Sequence, residues 1–275
     1  MQKNRLILIC CVLISVTAFT QDSTGSRKIS KNEKQEARKK QIDDIIKKEA
    51  EGQLVYSKQN TFSIKLNSNG WGLFYERGRF INVNKTSLWW AELSEIKSPK
   101  EEKNTRIDGF GFALGNPYIY GKINTVFSLR AGLGQQRLIG GKGNRNGVAV
   151  SAIYGGGLTA GLVKPYYLNV ISDPSTGEIS DVKYQGPGDS TFLDPFLILG
   201  GSGFGKGISE ISLQPALHTR AGLRFDYGRY SELLSAIEVG VQAEYYFKEL
   251  PIMAVAQNKQ FVFNAYVAIL FGNRK

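Results

Sequence analysis

Hydrophobic and polar residues alternate over Ser235–Phe247, and similar alternation recurs along much of the chain. From Ile237 onwards one parity is fully apolar, whereas the other carries mainly small, polar or charged residues. Because strand side chains point alternately to opposite faces, this period of two indicates a strand with two different faces. A membrane-spanning barrel strand needs about 9–11 residues, with apolar side chains towards lipid and polar ones towards the lumen. We therefore predict a membrane-spanning strand here.

The same alternation predicts further strands, and an Asn-Ser-Asn-Gly turn follows the first of them. The strand segments are 61–67, 71–76, 87–94, 123–134, 148–162, 213–227 and 260–272. The fold class is therefore all-β, a single antiparallel outer-membrane β-barrel of about 8–12 strands, with about ten as the best count. A short strand is also predicted at 109–115, and two possible strands are predicted at 166–172 and 178–184. Residues 186–212 are predicted to be a long loop with a short helix near 206–211.

The N-terminal part of the chain has a different composition from the rest. Residues 1–20 combine a basic start with an apolar core and are predicted to be a signal peptide. Residues 21–58 are predicted to form a charged periplasmic arm of helix-forming or disordered character. Residues 59–275 are predicted to form the barrel. The arm could instead be a helix that contacts peptidoglycan or a partner, or that enters the lumen. Cys10 and Cys11 would leave with the signal peptide, so no cysteine metal site is expected.

The net charge of +11 bears on the choice of partners. Loss of Lys3 and Arg5 with the signal peptide leaves 33 basic against 24 acidic residues, or +9. In an exported protein this excess of positive charge favours outer-membrane lipid and lipopolysaccharide as partners. Periplasmic or surface proteins remain alternative partners. The basic residues are dispersed and no RNA-binding motif is found, so we expect no nucleic acid. No cofactor is expected either.

Charged residues of the strands 213–227 and 235–247 share the parity that faces the lumen. They are His218, Arg220, Arg224, Asp226, Glu238 and Glu244. A hairpin centred near Ser231 would place Arg224 opposite Glu238, and His218 opposite Glu244. Such pairs stabilise a sheet and would fill a small barrel, which predicts a plugged lumen. Arg224→Glu should then destabilise the barrel and an added Glu238→Arg should rescue it.

Other side chains give weaker indications of chemistry. His218 is the only histidine, and a hydrolase centred on it would need a hydroxyl or carboxylate within about 3 Å. Thr219 faces the other side of its strand, and one histidine without cysteines argues against zinc. Lys142 and Arg145 lie in a loop expected to be a solvated hairpin tip, with lipopolysaccharide contact as the alternative. The three tryptophans, Trp71, Trp89 and Trp90, are expected in an aromatic belt, or otherwise in a shielded core.

The end of the chain, FNAYVAILFG with Phe271, and the strand Ala221–Phe225 resemble uncharacterised outer-membrane β-barrel proteins of the Bacteroidota. This resemblance implies the cell outer membrane and a last strand that the insertion machinery recognises, although four residues follow Phe271. It supplies no catalytic residues. We expect a non-enzymatic structural or interaction role. The alternatives are a narrow porin or transporter, an outer-membrane lipid hydrolase centred on His218, and a soluble secreted β protein.

Overall fold

The computed structural model describes Glu36 and residues 57–275, except 83, 144–146, 174, 229–232 and 255. The predicted signal peptide lies outside the described residues, and so does the predicted arm apart from Glu36 and 57–58. The chain divides into the units Met1–Asp44 and Ile45–Lys275. In the first unit, Glu36 is helical and exposed. All the described strands belong to the second unit.

The strands of this unit have the following bounds. They are β1 Lys58–Asn67, β2 Gly70–Asn82, β3 Lys85–Ile96, β4 Lys103–Asn104, β5 Tyr118–Ile119, β6 Asn124–Gly140, β7 Ala149–Pro165, β8 Tyr167–Asp173, β9 Glu178–Lys183, β10 Ile198–Gly201, β11 Ser212–Asp226, β12 Leu233–Leu250 and β13 Lys259–Arg274. A short helix, α1, covers Ser190–Leu193, and a 3₁₀ turn covers Ile208–Glu210. No helix among the described residues is both long and apolar enough to cross a membrane.

Within the described part of the chain, eight strands close into one antiparallel barrel. The order around the barrel is β1-β2-β3-β6-β7-β11-β12-β13, and β13 pairs back to β1 with Phe62 opposite Phe271. The all-β antiparallel barrel that the alternation predicts is therefore confirmed. Eight lies within the predicted range but below the best count of about ten.

The predicted short strands explain why the best count is too high. Strands β8 and β9 form where the sequence predicts them, but they have only 7 and 6 residues. They are too short to span a membrane and instead pair in a small sheet of order β10-β8-β9. Residues 109–115 form turns and one isolated bridge, Ile107 to Ala113, instead of the predicted strand. The predicted helix near 206–211 is the 3₁₀ turn.

Burial along the barrel strands alternates with an apolar outside and a polar inside. Phe62 and Leu133 are 50% and 72% exposed on the outer wall, whereas Lys65 and Arg224 are 1% exposed inside. The interior of a water-soluble barrel would be apolar; this inverted distribution is the one found in transmembrane β-barrels. The outward apolar side chains cover the wall on every barrel strand. The fold is that of a transmembrane β-barrel.

The tryptophans divide between the two faces of the wall. Trp71 and Trp89 point outwards, as an aromatic belt requires, but Trp90 is 1% exposed inside the barrel. The prediction of a belt position is therefore wrong for Trp90, because adjacent residues of a strand point to opposite faces. Trp90 fits inside because glycines face it: a Cβ on Gly132 or Gly155 would lie 2.5 or 2.6 Å from its ring.

The two rims of the barrel carry connections of different length. At one rim, here the short-loop rim, the strands are joined by residues 83–84, 141–148 and 227–232. At the opposite, long-loop rim the connections are 68–69, 97–123, 166–211 and 251–258. The longer segments of this rim contain β4, β5, the small sheet and α1. Their apolar core consists of Tyr118, Leu168, Val170, Phe192 and Ile198.

Candidate functional site

The charged side chains inside the barrel are brought together by the pairing of β11 with β12. This register places Arg224 opposite Glu238, Arg220 opposite Gln242 and His218 opposite Glu244. The pairs Arg224–Glu238 and His218–Glu244 are those that the sequence predicts. The predicted turn near Ser231 lies outside the described residues.

Arg224 joins two carboxylates from different parts of the wall. Its Nε and Nη2 donate to Glu238 Oε2 at 2.9 and 2.7 Å. Its Nη1 and Nη2 also donate to Glu76 Oε1 and Oε2 at 2.7 and 3.0 Å. Strand β2, which carries Glu76, is opposite β11 around the barrel, with β1, β13 and β12 on one side and β3, β6 and β7 on the other. Arg224 therefore spans the lumen from wall to wall.

Arg220 makes a second contact across the lumen. Its Nη2 donates to Glu76 Oε2 at 2.7 Å, while its Nη1 lies 3.8 Å from Glu238 Oε1. The guanidinium also stacks 3.9 Å above the ring of Trp90 and 4.6 Å from the ring of Phe74. Cation–π contacts of this kind strengthen when water is excluded. Two arginines and two carboxylates thus form one charge-balanced group, here called the central cluster: Glu76, Arg220, Arg224 and Glu238.

A second group of paired charges lies deeper towards the long-loop rim. Arg130 on β6 donates to Glu92 Oε1 at 2.6 Å and to Glu244 Oε1 at 2.5 Å. Lys65 on β1 donates through its Nζ to Glu92 Oε2 at 3.0 Å and to Gln242 Oε1 at 2.5 Å. The four charged residues are each at most 2% exposed. Buried charges are tolerated when they are paired in this way.

Glu244 and His218 lie opposite each other but bind different partners. Glu244 accepts from Arg130 and, at 2.8 Å, from the hydroxyl of Tyr246. His218 Nδ1 lies 2.9 Å from Thr159 Oγ1 on the neighbouring strand β7, and its ring packs edge-on against Trp90. His218 therefore contacts the hydroxyl of Thr159 and the ring of Trp90, and it does not form an ion pair with Glu244.

Asp226 belongs to a separate group at the short-loop rim. It pairs with Arg274 of β13 and lies 3.4 Å from Lys142 Nζ. Lys142 also donates to the carbonyl oxygen of Gly228. Lys142 is only 7% exposed, so the expectation of a solvated position is wrong for this residue. Arg145 lies outside the described residues.

Several interior residues were not singled out from the sequence. Glu76, Glu92, Arg130 and Lys65 all lie on the polar parity of predicted strands, and that parity is the signal that could have found them. Their partners could not be found this way, because contacts across a lumen depend on how the barrel closes. Among the described residues, no group of three His, Cys, Asp or Glu side chains is placed to hold a metal ion.

The small sheet at the long-loop rim carries exposed ion pairs. Lys206 Nζ lies 2.6 Å from Asp181 Oδ2, and its hydrogen bond lowers the pKa of this carboxyl. Lys183 pairs with Glu210, and the hydrogen bond between them lowers the pKa of Glu210. The Tyr167 hydroxyl also donates to Glu210, at 2.5 Å. These pairs connect β8 and β9 to the segment 206–210.

Comparisons with known proteins return structures of other β-barrels at low similarity. No family model and no curated protein matches the sequence. The attachment invasion locus protein Ail of Yersinia pestis, solved with the heparin analogue sucrose octasulfate, shares 7% identity at a TM-score of 0.35, covering 80% of this chain and 100% of that one. The N-terminal β-barrel domain of Pseudomonas aeruginosa OprF shares 10% identity at a TM-score of 0.33, covering 78% of this chain and 96% of that one.

Neisserial surface protein A shares 9% identity at a TM-score of 0.36, covering 79% of this chain and 96% of that one. Identities and TM-scores in this range are too low to carry a ligand or a role from these proteins to this chain. The assignment of the fold rests on the closed pairing of the strands and on their inverted burial.

Proposed function

We propose that the protein is a non-enzymatic β-barrel of the bacterial outer membrane whose lumen is plugged by its own charged side chains. The observation that carries this proposal is the reach of Arg220 and Arg224 across the lumen to Glu76. Small barrels of eight strands have an interior that side chains can fill. The role is then structural or that of an interaction partner, since nothing passes through the barrel.

Placement in the outer membrane is supported by the outer wall. The barrel strands have 10–18 residues, enough to cross a bilayer while tilted. Barrels of this membrane carry short turns on the periplasmic side and longer loops outside. The short-loop rim then faces the periplasm and the long-loop rim faces lipopolysaccharide and the cell surface.

Exposed aromatic side chains at the long-loop rim support an interaction role. Phe110, Phe112 and Phe196 are 89%, 72% and 83% exposed. Their backbones are held in place, because Arg106 Nη1 donates to the carbonyl of Phe196 at 2.7 Å and Asp108 accepts from the backbone N–H of both Phe110 and Phe112. Exposed apolar groups fixed in this way are typical of protein contact surfaces. A surface protein is the partner we propose for them.

Planar-bilayer conductance tests the plugged lumen against the porin alternative. We expect no ion conduction by the wild type. A variant that empties both charged groups should conduct because it removes the charged contacts across the lumen. It carries Ser at Glu76, Arg220, Arg224 and Glu238 and at Lys65, Glu92, Arg130 and Glu244. Arg137→Ser, on the exposed outer wall, is the control and should stay silent. Stepwise conductance of the wild type would refute the plug and favour the porin.

The hydrolase alternative has one observation in its favour. Thr159 Oγ1 lies within hydrogen-bond reach of His218, as a nucleophile beside a general base would. Both residues are nevertheless enclosed, at 4% and 5% exposure, and Trp90 packs against the imidazole. We therefore expect the purified protein not to hydrolyse phospholipid or lipid A. Hydrolysis that is abolished by both Thr159→Val and His218→Gln would establish the enzyme instead.

A further inference from the structure

Positively charged side chains gather on the outer wall at the short-loop rim. Lys58 begins β1 and is directly opposite Arg79 of β2, while Arg77 is directly opposite Trp89 of β3. These outward-facing side chains and their neighbours border a groove of about 480 Å³. Its lining consists of Lys58, Arg77, Gly78, Arg79, Ser87, Leu88, Trp89 and Leu133. The groove therefore combines three cations with apolar side chains.

The cations of the groove have no acidic partner among the described residues. Other exposed lysines do: Lys97 lies 3.3 Å from Glu95, and Lys206 lies 2.6 Å from Asp181. None of the groove cations lies within 4 Å of a described carboxylate. Unpaired Lys and Arg at the boundary of a membrane attract anionic headgroups. The missing counter-charge would then come from a ligand.

The position of the groove along the membrane normal indicates which kind of ligand it binds. Towards the long-loop rim, the next outward residue of β2 after Arg77 is Tyr75, whose ring packs edge-on against Trp89 at 5.7 Å. Tyr and Trp mark the boundary between headgroups and hydrocarbon. The cations therefore lie at headgroup depth, and Trp89 and the exposed Leu133 offer an apolar wall beside them.

We infer that this groove binds an anionic phospholipid, with its phosphate between Arg77 and Arg79 and an acyl chain along Trp89 and Leu133. A phospholipid is chosen over lipopolysaccharide because the short-loop rim is the periplasmic one, where the leaflet consists of phospholipid. The inference rests on the proposed function, since it requires the barrel to be in the outer membrane. Arginine suits the phosphate because its guanidinium can donate two parallel hydrogen bonds.

Quenching of Trp89 by brominated lipids tests this site in bilayers. In a Trp71→Phe background, Trp89 is the tryptophan exposed to lipid, because Trp90 is enclosed in the lumen. We expect brominated phosphatidylglycerol to quench it at lower mole fraction than brominated phosphatidylcholine. Each cation contributes about fivefold to the relative affinity, so Arg77→Ser/Arg79→Ser should reduce the preference about 25-fold.

Two further variants make the test specific. Lys100→Ser/Lys103→Ser removes the same charge from the long-loop rim and should keep the preference. Lys58→Ser, at the first residue of β1, disturbs the strand pairing least and should reduce the preference about fivefold. Equal quenching of the wild type by both lipids would overturn the inference. Displacement of the brominated phosphatidylglycerol by lipopolysaccharide would also overturn it, because the site would then belong to the other leaflet.

The migration of the same samples on SDS gels separates failure of the site from failure of the barrel. Protein that is inserted in the bilayer and shifts on boiling, yet shows no lipid preference, would overturn the lipid site alone. Protein that remains soluble and shows no shift would overturn the outer-membrane barrel together with the site. A double variant that shifts like the wild type and has lost the preference supports the site.

Discussion

Arg224→Met tests how much the central cluster contributes to the stability of the barrel. The guanidinium makes contacts of 2.7–3.0 Å with Glu76 and Glu238, and all three residues are at most 1% exposed. Methionine has a similar length but no charge. After the substitution, two buried carboxylates would share Arg220, which lies 2.7 Å from Glu76 but 3.8 Å from Glu238. One negative charge would be left uncompensated.

The expected loss is about 3–5 kcal/mol of unfolding free energy, the cost of removing one partner from a buried ion pair. This corresponds to a factor of about 10² to 10⁴ in the unfolding equilibrium constant. Summing about 1.5–3 kcal/mol for each charged hydrogen bond would give more. That sum overestimates the loss, because residues of one network do not contribute additively.

The double variant Arg224→Met/Glu238→Gln makes this reasoning refutable. It restores the charge balance, since Arg220 and Glu76 remain paired at 2.7 Å. We therefore expect the double variant to be more stable than Arg224→Met alone. Urea unfolding in lipid vesicles, with the folded fraction read from the heat-dependent gel shift, measures both. Arg137→Met, on the outer wall, is the control and should stay within about 0.5 kcal/mol. A loss below about 1 kcal/mol for Arg224→Met, or additive effects, would refute the cluster.

Two further predictions concern packing and pH. Gly132→Ala should destabilise the barrel by about 1–3 kcal/mol, because the added Cβ would lie 2.5 Å from the ring of Trp90. Gly140→Ala is the control, since its Cβ would meet nothing within 4 Å. Equal unfolding midpoints of the two variants in urea would contradict this prediction. The hydrogen bond from Lys183 lowers the folded pKa of Glu210 below the usual 4.5. Ionised Glu210 therefore stabilises the small sheet above pH 4.5, and this stabilisation is lost as the pH falls through the lowered pKa. Pepsin cleavage of this segment, normalised to an unfolded peptide, should therefore accelerate below pH 4.5 in the wild type but be fast already at pH 5 in Glu210→Gln.

The pairing of β11 with β12 could be predicted because it depends on local information. Both strands alternate over more than ten residues, and a short connection joins them, so the parity and the approximate centre of the turn fix the register. This is why Arg224 and Glu238, which are 14 positions apart in sequence, were matched correctly. The same parity also separated the outer wall from the interior on the other long strands.

Contacts that depend on barrel closure could not be predicted in this way. Glu76 is 148 positions from Arg224, and the two meet only because β2 and β11 face each other across an eight-stranded barrel. The strand number is itself ambiguous in sequence, since β8 and β9 alternate like barrel strands. Their predicted length does not separate them either, since the segments 61–67 and 71–76 are equally short in the sequence yet belong to barrel strands of 10 and 13 residues.

Closure also changes the outcome expected for the charge swap within the hairpin. If Arg224 and Glu238 formed an isolated pair, Arg224→Glu/Glu238→Arg would recover the full stability. In the closed barrel, a carboxylate at position 224 would lie against Glu76, which accepts two hydrogen bonds from Arg224 at 2.7 and 3.0 Å. Arg220 pairs with Glu76 but cannot also screen it fully from the new carboxylate. We therefore expect the swap to be more stable than Arg224→Glu but less stable than the wild type in urea unfolding. Full recovery would mean that Arg224 does not reach the opposite wall.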